Sequence, residues 1–99
     1  MTLLPTYDWV DGFQAEYGRL NPLQRSEFRT ARKLFLDGLR SRRFSPLLRI
    51  KRVQGHHGIW ELTWAPDGRA TFKYGDEVIS GEPHVIWRRV GTHEIFDRP

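Results

Sequence analysis

Close to residue 45 the spacing of apolar residues changes from helical to extended, and that switch constrains the fold more than any other feature of the chain. Ahead of it, Trp9, Val10, Phe13, Tyr17 and Leu20 follow the i, i+3/i+4, i+7 spacing of one helix face. Asn21-Pro22 then reads as a second helix start: Asn at the N-cap, Pro at N1, and Gln24 at N3 able to reach back. Phe28, Ala31, Leu34, Phe35 and Leu39 form its apolar stripe, which predicts a helix to about Arg40. Gly38 near its end and Pro46 beyond it read as stop signals.

After the switch, four stretches read as strands: Leu48 to Val53, Ile59 to Trp64, Arg69 to Tyr74 and His84 to Val90. Pro66-Asp67-Gly68 supplies turn residues between the second and third, which predicts a hairpin, and Gly75 to Pro83 reads as a polar loop. The expectation is one α+β domain over residues 1–99, with two N-terminal helices packed on a four-stranded, mainly antiparallel sheet. Pro5 tolerates only an edge strand ahead of the first helix.

A chain of 99 residues must build a compact core, and only 38% of it is hydrophobic. The aromatic share of 13% compensates, because each large ring buries roughly 150–250 Å². Trp60 and Trp87 are therefore expected mainly in packing. The absence of cysteine excludes disulfides, thiolate metal sites and thiol nucleophiles. No apolar run approaches the roughly 20 residues of a membrane span. Met1 to Trp9 has no basic region typical of a signal peptide. A cytoplasmic protein with no membrane partner is expected.

The net charge is +4 and the isoelectric point about 10.0, the footprint of a nucleic-acid binder or of a protein with an acidic partner. No acidic residue lies between Asp37 and Glu61, where Arg40, Arg42, Arg43, Arg49, Lys51 and Arg52 accumulate. Arg40, Arg43, Arg49 and Lys51 are candidates for tracking a phosphate backbone. On a strand, Arg49 and Lys51 share one face and Arg52 takes the other. His56-His57 sit between Gly55 and Gly58, a turn that makes a poor chelate; no metal and no cofactor is expected.

The run from Trp87 to Phe96 is the most informative stretch. On a regular strand Arg88 and Arg89 face opposite sides, and Gly91 lets the backbone turn toward His93. Arginine and histidine at a strand end are a workable pair for phosphodiester chemistry: a guanidinium holds phosphate and an imidazole moves a proton. His84 is open between a solvated strand start and a second proton donor near His93. Glu61 is expected to pair with Arg69 across the hairpin.

Arg89-x-Gly91-Thr92-His93 followed by Phe96 resembles the C-terminal motif of the YafQ-like branch of RelE/ParE-type toxins. Gly58-Ile59-Trp60-Glu61-Leu62 and Gly68-Arg69-x-x-Phe72-x-Tyr74 resemble the middle strands of the wider superfamily, so the likeness covers roughly residues 7 to 97. The resemblance implies a type II toxin that cleaves mRNA on the ribosome without a metal, through the RNA's own 2′-OH. It implies His93 as general acid or base, Arg89 as stabiliser of the phosphorane, Arg69 as a second phosphate clamp and Phe96 as a wall for the base. Arg88 would join the RNA contacts. The partners implied are the ribosome, mRNA and an acidic cognate antitoxin. Two alternatives stay open: a toxin-fold protein that inhibits DNA gyrase or another target by binding alone, and a plain RNA-binding domain.

Overall fold

The computed structural model describes residues 5–99, so the targeting-region reading of Met1 to Leu4 lies outside them. Nine elements follow in order: β1 (Thr6–Trp9), α1 (Asp11–Arg19), α2 (Pro22–Ser41), a 3-10 turn (Pro46–Leu48), β2 (Lys51–Arg52), β3 (Trp60–Thr63), β4 (Arg69–Tyr74), β5 (His84–Gly91) and a second 3-10 turn (His93–Asp97). The strands form one sheet in the order β1-β5-β4-β3-β2. Every pairing is antiparallel except β1 with β5. The α+β class and the two helices stand as expected, but the sheet has five strands rather than four.

The extra strand is β1, which takes Trp9 away from the first helix and leaves Val10 as its N-cap. Trp9 fits a helical stripe, but it also alternates with Asp8 and Tyr7 at strand spacing. What decides is the open edge of β5. Thr6 N–H donates to Pro83 O and Val10 N–H to Trp87 O, both at 3.0 Å, so the segment's backbone groups are satisfied at both ends. Pro5 precedes the strand on its outer edge, where a missing N–H breaks no ladder.

Helix α2 starts as the sequence predicts. Asn21 Oδ1 accepts from Gln24 N–H at 2.8 Å, and Gln24 Oε1 accepts from Asn21 N–H at 2.9 Å. It ends at Ser41, with Arg42 in the left-handed region at φ 60°. Gly38 is not the stop signal it resembles. A Cβ there would lie 2.5 Å from Phe44 Cδ1, so its absence lets Phe44 fold back onto the helix. Phe44 then stacks on Phe35, with ring centroids 5.3 Å apart.

The strand expected from Leu48 to Val53 shrinks to Lys51–Arg52. Ser45 Oγ accepts from Leu47 N–H at 3.3 Å and starts the first 3-10 turn. Arg49 closes that turn at φ 47°, so it is off the strand and shares no strand face with Lys51. A left-handed conformation costs a non-glycine residue roughly 1–2 kcal/mol.

A bulge interrupts β4 and β5. Thr71 opposes Arg89 and Phe72 opposes Trp87, which leaves Arg88 as the additional residue. Trp87 and Val90 are both buried on the helix-facing side. Arg88 and Arg89 therefore share the other face, correcting the expectation that they point apart. On the helix side, Trp87 packs against Phe13, Phe28, Phe35 and Phe72, with centroids 5.9, 5.4, 5.3 and 5.6 Å away. Trp64 is buried as well, while Trp60 is only half-buried. The C-terminal segment folds over the opposite face. There Pro99 O accepts from Thr71 Oγ1 and Arg88 Nε, each at 3.1 Å.

Phe35 is fully buried at the centre of the cluster, so Phe35→Ala is expected to lower unfolding free energy by about 3–5 kcal/mol. Asn21→Ala, which removes only the cap, is expected to cost about 1 kcal/mol. Urea denaturation of the two variants checks both values; equal losses would mean the aromatic cluster is not the principal source of stability.

Candidate functional site

The candidate site lies where β4 begins and β5 ends, since Arg69 pairs with Gly91 in the sheet. Past Gly91 the chain turns at Thr92, whose carbonyl accepts from Ile95 N–H at 3.1 Å, and His93 opens the second 3-10 turn. Ile95 anchors that turn. It is buried, and its Cγ2 would lie 3.0 Å from a Cβ placed on Gly91.

The hairpin turn from β3 to β4 comes up beside it. Gly68 N–H donates to Ala65 O at 3.0 Å, and Gly68 lies against the Trp64 ring, 2.5 Å from where a Cβ would stand. Only glycine fits there. Trp64 Nε1 donates to Arg69 O at 2.9 Å and fixes the return strand. This geometry places Asp67 Oδ1 3.7 Å from His93 Nδ1. Phe96 meets the other side of the site edge-on, its ring 5.3 Å from that of His93. Both Asp67 and His93 are exposed, so their pair adds little to stability. Arg69 Nη1 donates to the carbonyls of Ala65, Pro66 and Gly68 at 3.2, 3.2 and 2.9 Å. Its guanidinium braces the turn that carries Asp67, and among the described residues no carboxylate neutralises it.

Arg89 is held differently. Its Nε and Nη2 donate to the two carboxylate oxygens of Glu16, each at 2.8 Å, and its Nη1 donates to Arg98 O at 2.6 Å. The hydrogen bonds to Glu16 and its negative charge raise the Arg89 pKa further above its usual value, against the opposing effect of partial burial. Glu16 reaches this position because β1 gives way to α1 at Val10. The edge of β5 is uncovered beyond that point, and Glu16 Oε1 also takes Val90 N–H at 3.4 Å.

The predicted residues thus gather at one end of the sheet without facing a common hollow. Arg69 lines a groove of about 690 Å³ between α2, the first 3-10 turn and the hairpin. Arg89 lines a separate cleft of about 420 Å³ with Glu16, Glu94 and Arg98. His93 lines neither of them and stands beside Asp67. Of the proposed RNA contacts, Arg40, Arg43 and Arg49 are exposed around the end of α2. Lys51 turns to the other face, 3.4 Å from Glu61, and Arg88 is engaged by Pro99. Glu61 therefore pairs with Lys51 and not with Arg69, because the register sets Arg69 opposite Thr63. His84 bonds Thr6 Oγ1 at 2.7 Å at the start of β5, at the far end of that strand from His93, which removes it as a second proton donor. His56 and His57 are exposed in their glycine-flanked turn. Two functional candidates escaped the sequence reading, Asp67 and Glu16. Asp67 was legible in principle, since a hairpin with Arg69 opposite Gly91 brings the turn alongside the residues that follow Gly91.

No family model matches the sequence, and no curated protein does. Solved structures do match its shape. A chain of the E. coli DinJ–YafQ complex superposes with a TM-score of 0.65 at 12% identity, covering 92% of this chain and 96% of that one. A chain of the RelB–RelE antitoxin–toxin complex from Methanococcus jannaschii gives 0.60 at 17% identity, covering 92% and 98%. The YoeB/ParE toxin from Agrobacterium tumefaciens gives 0.65 at 14% identity, covering 89% and 98%. The fold is that of the RelE/ParE-type toxins. At such identities the RelE/ParE-type fold is shared while nearly every side chain differs, so the chemistry rests on the residues placed above.

Glu16→Ala is expected to leave the half-buried Arg89 without its bidentate partner and to destabilise the fold by about 1–3 kcal/mol. Glu16→Asp should recover part of that loss. Thermal or urea unfolding of both variants checks it, and an unchanged stability for Glu16→Ala would mean the pair does not tie α1 to β5.

Proposed function

We propose that this chain is the toxin of a type II toxin–antitoxin pair and acts as a ribosome-dependent mRNA endonuclease. The observation that carries the reading is the pairing of exposed His93 with Asp67, on the hairpin turn that Arg69 braces, in a RelE/ParE-type fold. A 2′-OH attacks the adjacent phosphorus as it loses its proton, and the bond to the 5′-oxygen breaks as that oxygen gains one. The products are a 2′,3′-cyclic phosphate and a 5′-OH. His93 transfers a proton in this step, and Asp67 restrains the orientation of its ring. Arg69, which braces the hairpin turn and pairs with no carboxylate among the described residues, stabilises the phosphorane. Arg89 reaches phosphate only by exchanging Glu16 for it; otherwise it acts as a positioning residue, holding β5 and the turn that bears His93. Phe96 walls the substrate base.

The cations around the end of α2 serve docking rather than chemistry, and they suit a cytoplasmic pairing with ribosome and mRNA. The same surface suits an acidic antitoxin segment that folds as it binds. The similar RelB–RelE structure is an antitoxin–toxin complex, and DinJ–YafQ is a toxin–antitoxin complex. One observation favours a second reading, a toxin that acts by binding alone: Glu16 neutralises Arg89, leaving Arg69 as the one unpaired guanidinium of the three predicted catalytic residues.

His93→Ala is expected to slow message cleavage on translating ribosomes on the order of 10²–10⁴-fold while binding changes little. Asp67→Asn should reduce cleavage less, and Arg40→Ala with Arg43→Ala should weaken ribosome binding and leave cleavage of bound message nearly intact. Primer extension for cleavage and co-sedimentation for binding separate the two. Growth arrest by a wild-type protein that cuts no message would favour the binding-only toxin.

A further inference from the structure

Strand β4 runs from Arg69 to Tyr74, so its far end lies about 17 Å from the candidate site at a strand rise of roughly 3.4 Å per residue. Register and burial put Tyr74 on the helix-facing side, together with Trp60 and Phe72, but α2 has already ended there. A cleft of about 320 Å³ is left, lined by Phe44, Pro46, Arg49, Ile50, Trp60 and Tyr74. Its walls are aromatic and braced. Phe44 is stacked on the buried Phe35, and Trp60 meets Tyr74 edge-on with centroids 6.4 Å apart. Tyr74 nevertheless stays 45% exposed, although Trp60 and Phe72 both pack beside it.

Cations surround this cleft. The Arg52 guanidinium lies over the Trp60 ring, 5.2 Å from its centroid, and Arg49 lines the cleft itself. Arg43 lines an adjoining hollow that shares Phe44, Ser45 and Pro46. Among the described residues, none of Arg40, Arg42, Arg43, Arg49 and Arg52 forms an ion pair with a carboxylate. Arg49 also holds a left-handed backbone conformation that glycine would adopt without strain. A strained arginine, an arginine spread on a tryptophan and a half-exposed tyrosine are more than a solvated helix end requires.

We propose that this cleft is a nucleotide-binding subsite, remote from the cleavage site, in which a base of single-stranded RNA stacks against the aromatic wall. Trp60 and Tyr74 provide that wall, with Arg52 backing one face of Trp60, and Arg49 holds the neighbouring phosphate. The inference rests on the RNA reading above and deepens it by naming where the strand is held away from the scissile bond. Stacking suits a sequence-tolerant contact because every base has a π-face, and arginine planes serve as well as rings. An acidic peptide would use the arginines but gain little from the rings.

The test uses a fluorescein-labelled single-stranded octaribonucleotide and protein carrying His93→Ala, so that the probe is not cut, with binding read by fluorescence anisotropy. In that background Tyr74→Leu, which keeps apolar bulk and removes the ring, is expected to weaken binding about tenfold. Arg49→Gly should weaken it too and flatten its salt dependence, while the melting temperature stays equal or rises because the backbone strain is relieved. That rise separates lost binding from lost folding. A polyglutamate peptide should compete poorly. Unchanged affinity in both variants, or competition by polyglutamate as strong as by unlabelled RNA, would overturn the subsite and leave a plain cationic surface for an acidic protein. If the ring-dependent binding holds but wild-type protein cuts no message, the subsite stands and the nuclease reading falls.

Discussion

The packing of Trp87 is the constraint on which the rest of the structure depends. Its ring occupies the middle of the helix-facing side and touches aromatic residues from α1, α2 and β4. Val90 must face the same way to close the core beyond it, and three residues of regular strand cannot bring that about, because side chains alternate. The bulge at Arg88 resolves the conflict by one additional residue. Its consequence is chemical as well as architectural: two consecutive arginines emerge on the same open face. There the carbonyls of Arg98 and Pro99 meet them, and the C-terminal segment is drawn across the sheet. The position of His93 follows from that path.

Charge is arranged by the same geometry. Glu16, Glu61 and Asp67 each face one basic side chain: Arg89, Lys51 and His93 respectively. Among the described residues, two groups of cations that form no ion pair with a carboxylate are Arg69 at the hairpin and the arginines around the end of α2. β4 joins them, with Arg69 at its first residue and Tyr74, beside the second group, at its last. A bound RNA strand held at both ends would be gripped by arginines whose charge is not already spent on the protein's own carboxylates.

Local features of the sequence were read correctly where a short segment decides its own conformation. The capping box of Asn21 and Gln24, the stripe of α2, the hairpin at Pro66-Asp67-Gly68 and the two middle strands depend on neighbours a few residues away. Misreadings came where a distant partner overrides local preference. Trp9 joins a strand because β5 offers a free edge. Gly38 looks like a helix stop and instead receives Phe44. Arg49 leaves its predicted strand because Ser45 and Pro46 start a turn first. Glu61 finds Lys51 because register, set by the whole ladder, puts Thr63 opposite Arg69.

By itself the sequence determined the fold class, the placing of Arg69, Arg89 and His93 at strand ends, and the concentration of cations after Asp37. These are properties of periodicity, turn chemistry and composition, and they survive almost any packing. Only the tertiary structure decided which of those residues are free to act. A strand's alternation shows which way a side chain points until a bulge inverts it, and no local pattern marks the bulge at Arg88. Nor can spacing along the chain reveal that Glu16, seventy-three residues before Arg89, takes the Nε/Nη2 edge of its guanidinium, or that Asp67 stands beside His93. Hydrogen bonds and ion pairs are satisfied through space, so their partners are settled only when the aromatic core has set the strands and helices in place.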